Sequence, residues 1–119
     1  MNQQSELIER LRALLAEEPS VREVSMFGGR SFMVNDKMVA SALKEGDILV
    51  RVDNARHEEL LALRGAAQAE MGAGRSMGPG WISVSATSIA HDESLPFWLG
   101  VALDYNQKVT GDQSPRSTP

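Results

Sequence analysis

The sequence predicts an α+β fold in which an antiparallel sheet carries packed helices in the order α-β3-α-β2-α. Three observations predict it. The first segment repeats apolar residues at helical spacing. Short runs of strand-forming residues follow, joined by two-residue turn signals. A second helical stripe closes the pattern.

Leu7, Ile8, Leu11, Leu14 and Leu15 fall on one helical face. Ser5 is a suitable N-cap, and Glu6 suits the positive end of the helix dipole. Glu6 also stands four residues before Arg10, the favourable orientation for an exposed ion pair. Pro19 ends the helix by about Glu18.

Residues 21–27 and 30–34 read as strands joined by Gly28-Gly29, two residues that reach positive φ without a Cβ clash. Asn35-Asp36 marks the next turn. Residues 37–43 form a third strand or continue the second beyond a bend. After the Glu45-Gly46-Asp47 turn, Ile48, Val50 and Val52 alternate with Leu49 and Arg51. Such short connections imply a meander.

Asp53 or Asn54 can cap a short helix running to about Leu63, with Leu60, Leu61 and Leu63 apolar and Gly65 at the C-cap. A glycine-rich stretch over residues 72–80 follows, opened by a short strand near residues 68–71. Residues 81–85 are the next strand, with Ile82 and Val84 on one face. The last helix starts at Ser94 with Pro96 in its first turn and buries Leu95, Trp98, Leu99, Ala102 and Leu103. The folded domain is therefore expected over residues 1–106, and residues 107–119 as a disordered polar tail.

The composition is that of a soluble globular domain, with 42% hydrophobic and 24% charged residues. The absence of cysteine excludes disulfides, thiolate metal sites and cysteine nucleophiles. A formal charge of −4, without a basic stripe, argues against direct nucleic-acid binding. No secretory leader and no membrane span are expected, so the expected compartment is the cytoplasm.

No catalytic, cofactor-binding or metal-binding set is expected. His57 and His91 lack metal-ligand spacing; His57 reads as a solvated residue on a polar helix face, and His91 as part of a turn. Gly72-Ala73-Gly74-Arg75-Ser76-Met77-Gly78 lacks the lysine and hydroxyl of a phosphate loop and opens a strand, not a helix. Arg30 and Arg75 each stand beside glycines at a turn. If those loops converge, two guanidinium forks would make an anion or carboxylate site. The candidate anion- or partner-binding residues are thus Gly28, Gly29, Arg30, Gly74, Arg75 and Trp81. Met26, Met33, Met38, Met71 and Met77 are expected to pack the core around the sheet, and Trp81 and Trp98 to be core anchors with one edge exposed.

From Met26-Phe27-Gly28-Gly29 onward the chain resembles the N-terminal domain of the TfoX/Sxy family, linked to regulation of bacterial competence. The resemblance continues through Met33-Val34, Lys37-Met38, Leu49-Val50-Arg51-Val52 and Glu59-Leu60-Leu61. It extends to Gly74-Arg75-Ser76-Met77, Gly80-Trp81-Ile82-Ser83-Val84 and a closing helix with Trp98, Ala102, Leu103 and Tyr105. Ser31 departs from the family pattern, standing where a third glycine is common. Two-domain members carry a C-terminal domain with helix-hairpin-helix character that residues 107–119 do not resemble, so its nucleic-acid role is not carried over. The resemblance implies a fold similar to secretion-chaperone-like domains and no established catalytic residue. The expected function is a non-enzymatic regulatory module that binds a protein partner or a second copy of itself. The alternative is a small-ligand or anion-binding domain using the Arg30 and Arg75 loops.

Overall fold

The computed structural model of the chain describes residues 3–18, 20–26, 29–70, 74–90 and 93–111. Helix α1 (Gln3–Leu14) leads into strands β1 (Val21–Met26), β2 (Gly29–Val34), β3 (Lys37–Ala42) and β4 (Ile48–Arg51). A 3₁₀ turn (Asn54–Arg56) and helix α2 (His57–Leu61) precede β5 (Ala66–Gln68) and β6 (Trp81–Val84). Helices α3 (Ala86–Ile89) and α4 (Ser94–Gly111) close the chain. The strands form one antiparallel six-stranded sheet in the order β1-β2-β3-β4-β6-β5.

The α+β class is as the sequence predicts, but the element order is not. Four strands precede α2 rather than three, because Asn35 and Asp36 close a true hairpin between β2 and β3. Both residues take positive φ, 55° and 67°, which short polar side chains tolerate and a two-residue hairpin turn requires. Helix α3 is additional; the Ser85 hydroxyl starts it by accepting from the Ser88 N–H, and Asp47 accepts from the Ala86 N–H at 2.8 Å. Helix α4 continues to Gly111, past the expected boundary at residue 106, while residues 112–119 lie outside the described residues.

The first hairpin is also shifted. Met26 pairs with Gly29, so Gly29 is the first residue of β2 and not a turn centre, and its φ is not positive. Glycine is needed there for a different reason: a Cβ would run into the Ala42 carbonyl and Leu43 of the neighbouring strand. Phe27 and Gly28 lie outside the described residues.

The central strands are buried on both sides, with Val39, Ser41 and Leu49 buried like Ala40, Ala42, Ile48 and Val50. Phe32, Ala40, Val50 and Ile82 align across four strands, and Ala42, Ile48 and Val84 align in the next row. Leu7, Leu11 and Leu15 from the first helical segment form one buried cluster with them and with Leu95, Trp98, Leu99 and Ala102 of α4. Each such leucine contributes roughly 1.5–3 kcal/mol of burial. Leu14 and Leu63, expected on apolar faces, are exposed. On the other face Ser31 and Ser41 are buried and hydrogen-bond each other at 3.1 Å, which gives the departure at Ser31 a partner. The expected Glu6–Arg10 pair is absent, because Arg10 donates to the Ile89 carbonyl at 2.7 Å and ties α1 to α3. Among the described residues no helix is long and apolar enough to cross a membrane.

Candidate functional site: a stacked arginine in a cleft

Arg51 ends strand β4 out of phase with the core residues Ile48 and Val50, on the side of Leu49, which is also buried. Trp81 is out of phase with Ile82 and Val84 in the same way, and the β4–β6 register sets it directly opposite Arg51. On α4, Tyr105 follows Trp98 and Ala102 at i+7 and i+3, bringing its ring over the same point. The Arg51 guanidinium carbon is 4.9 Å from the Trp81 ring centre and 5.1 Å from that of Tyr105. Arg51 therefore makes cation–π contacts with two rings, each worth about 0.5–2 kcal/mol.

Arg51 Nη2 donates to the Tyr105 hydroxyl at 3.3 Å and Nη1 to the Pro79 carbonyl at 3.4 Å, both long. Among the described residues no carboxylate pairs with it. Arg51, Trp81 and Tyr105 line a cleft of about 520 Å³, which Lys37, Met38 and Val109 help to wall. Asp36 also stands at the cleft, with its carboxylate engaged by Arg22 at 3.2 Å. Asn106 completes the lining, but its amide is used: Nδ2 donates to the Val34 carbonyl at 2.9 Å, and Oδ1 accepts from Asn35.

A buried network holds the cleft wall. His57, expected in solvent, is only 5% exposed. Its Nδ1 accepts from the Gly80 N–H at 2.9 Å, so the ring proton sits on Nε2 and is donated to Gln68 Oε1, also at 2.9 Å. Gln68 Nε2 in turn donates to the carbonyls of Gly78 (2.9 Å) and Trp81 (3.2 Å). The glycine-rich segment before β6 is thus pinned from beneath. Gly80 has φ +92°, and a Cβ there would run into Arg51 Nη1, Asn54 Oδ1 and the Val52 carbonyl. Below the cleft, Asp53 accepts from Ala55 N–H at 2.9 Å and from Lys108 of α4 at 2.8 Å; these contacts, Lys108 first, hold its carboxyl below the usual range.

The candidates named from sequence are dispersed. Arg30 Nη1 donates to Glu23 Oε1 at 3.0 Å, and Glu23 also receives a bidentate fork from Arg12, at 2.7 and 2.9 Å. The Glu23 carboxyl is held below the usual range, chiefly by the Arg12 hydrogen bond and then by Arg30, while the Arg12 guanidinium is raised by the same contact. Arg75 is exposed beside Gly74 in the connection between β5 and β6, next to the bridge between Glu70 and Ser76. Strands β3 and β4 lie between β2 and the β5–β6 pair whose connection carries Arg75, and Arg30 is already engaged by Glu23. Gly28 lies outside the described residues, and Gly29 serves strand packing. Of the five that are described, Trp81 alone lines the cleft.

Several cleft residues escaped the sequence reading: Lys37, Arg51, Tyr105 and, behind them, His57. The signal for Arg51 and Trp81 was their phase in two alternating strands. What the sequence did not disclose was that β4 and β6 are neighbours. The methionines are placed differently as well: Met33, Met38 and Met77 are half-buried outside the core cluster, and Met38 lines the cleft. Trp98 is the core anchor, whereas Trp81 is a half-buried stacking partner.

Fold and cleft together define a small α+β domain with a preformed, aromatic-walled cationic hollow. The family model of the TfoX N-terminal domain matches residues 13–105, and the chain belongs to that family. No curated protein matches it. Lys37, Met38, Arg51, Trp81 and Tyr105, scattered through the motifs that carry the family resemblance, meet in the one cleft.

Proposed function

We propose that this domain is a non-catalytic regulatory module that acts in the cytoplasm by binding a protein partner, and that the Arg51 cleft is its contact point. The convergence of the family-motif residues on that cleft carries the reading. Binding, rather than bond-breaking, suits the chemistry there. A guanidinium, an ammonium and two aromatic rings recognise charge and apolar surface and supply no nucleophile–base pair. Regulation of competence or transcription is the process the family resemblance suggests. With a formal charge of −4, the chain is better suited to a protein than to nucleic acid.

The test is affinity capture from the native cell with the wild-type chain and with Arg51→Gln, read by quantitative mass spectrometry. A stoichiometric partner lost in the variant is expected. Identical captured sets with both proteins overturn the cleft as contact point. Light scattering of the purified chain separates a second copy from a different partner: a dimer that Arg51→Gln dissociates makes the partner this chain itself.

A further inference from the structure

We infer that the group received by the Arg51 cleft is a free C-terminal carboxylate on an apolar last residue of the partner chain. This rests on the reading of the cleft as a contact point and adds the chemistry of the contact. The Trp81 and Tyr105 rings stand 4.9 and 5.1 Å from the Arg51 guanidinium carbon and hold the group at the cleft. In-plane pairs of N–H donors match a planar carboxylate in a fork-to-fork pair. Two of the five donors are committed, and only to long bonds with Tyr105 and Pro79.

Charge points the same way. Arg12 is neutralised within the chain by Glu9 and Glu23, Arg30 by Glu23, Arg22 by Asp36 and Arg56 by Glu59, whereas Arg10 donates to the Ile89 carbonyl and Arg64 and Arg75 are exposed. Arg51 is half-buried and has no such partner among the described residues, and Lys37 at the same cleft makes no ion pair there either. The carboxylate at this cleft, Asp36, already faces Arg22. The cleft is therefore a cationic spot on a chain of net charge −4, where an anion is drawn to one place and not to the surface at large.

The walls select what carries the anion. Met38, Val109, Trp81 and Tyr105 are apolar or aromatic, and the amide at the site, Asn106, has its acceptor and one of its two N–H donors in use. An internal aspartate or glutamate would bring peptide groups on both sides of its side chain to these walls, whereas a chain end brings them on one side only. A terminal residue instead places its carboxylate one atom from an apolar side chain. The volume of about 520 Å³ suits a residue or two of peptide.

The probes are N-acetyl-L-leucine, N-acetyl-L-leucinamide, 4-methylpentanoate and inorganic phosphate. Binding to the full chain is followed by NMR at the indole N–H signals of Trp81 and Trp98, the latter buried in the core and serving as an internal reference. N-acetyl-L-leucine is expected to shift Trp81 and leave Trp98 in place, with the amide at least about tenfold weaker. Arg51→Gln should abolish the shift, Arg51→Lys should weaken binding about fivefold or more by losing the planar fork, and Lys37→Gln should weaken it a few-fold. Circular dichroism confirms that each variant is folded, and the exposed Lys37 keeps the test informative should Arg51→Gln unfold. Equal binding of acid and amide, unchanged binding to Arg51→Gln, or phosphate binding as tightly as the acid overturns the proposal. Tighter binding of 4-methylpentanoate than of N-acetyl-L-leucine also overturns it, because the site would then take a free acid rather than a peptide end. If partner capture depends on Arg51 while Trp81 ignores N-acetyl-L-leucine, the carboxylate inference fails and the contact reading stands. If neither depends on Arg51, both fail.

Discussion

Two arginines on the same sheet have opposite fates. Arg30, at the β1–β2 side, shares Glu23 with Arg12, which also pairs with Glu9, and the four charges are spent on one another. Arg51, in β4, is held by Trp81 and Tyr105, and no carboxylate of the described chain neutralises it. Glycine neighbours drew attention to Arg30, yet its position beside a strand carrying Glu23 makes it structural. The lesson is that the partner of a charge, not the turn beside it, separates a brace from a receptor. A carboxylate partner satisfies the fork; an aromatic partner holds the guanidinium and leaves its edge free.

The largest expected effect lies behind the Arg51 side. Gly80→Ala combines a positive φ with collisions against Arg51, Asn54 and Val52, and is expected to destabilise by about 3 kcal/mol in urea unfolding. Gly74→Ala is its control: φ is also positive, +73°, but the space is open, so about 1 kcal/mol is expected. Equal losses would mean that the crowded wall around Arg51 does not exist. His57→Ala comes next. It strands the Gly80 N–H and the Gln68 amide in a buried setting, at about 2–3 kcal/mol, and should broaden the Trp81 indole signal by loosening the segment before β6. A loss of stability with the Trp81 signal unchanged would detach His57 from the cleft.

The comparison itself is sharpened by Arg51→Gln against Glu23→Gln. Each is expected to cost about 1 kcal/mol or less, since the stack and the salt-bridge cluster are both partly exposed. Only Arg51→Gln should alter binding at Trp81. A binding defect in Glu23→Gln would erase the distinction between brace and receptor. The smallest effect is a pH dependence on the Arg30 side. Glu23 is held below its usual range in the folded chain, so its contribution is complete above about pH 4.3, the unfolded value, and is lost as pH falls through the lowered folded value. The acid limb of stability in the wild type should therefore be steeper than in Glu23→Gln, measured by thermal unfolding between pH 5 and about pH 2.

Much of the fold was legible because it is written locally. The phase of Ile48, Val50 and Val52, the Asn35-Asp36 turn, and the apolar stripe through Leu95, Trp98, Leu99 and Ala102 all follow from neighbours a few residues apart. The site was not legible for the opposite reason. Arg51, Trp81 and Tyr105 meet only through a non-sequential strand pairing and the docking of α4. His57 misled because its neighbours, Glu58 and Glu59, are polar, while its own ring turns inward to Gly80 and Gln68. Gly29 misled because a glycine beside a glycine suggests a turn, whereas here it makes room for the Ala42 carbonyl.

The insertion of β6 between β4 and β5 has a kinetic consequence. Strands β1 to β4 can zip together in sequence, each pairing with the one just made. Arg51 finds Trp81 only after the intervening chain, with α2 and β5, has closed a long loop, and such closures are slow relative to hairpin formation. The cleft is thus expected to assemble after the meander beside it. In a refolding experiment, Trp81 fluorescence should lag behind the far-ultraviolet signal of the meander, and binding capacity should return on the slower of the two clocks.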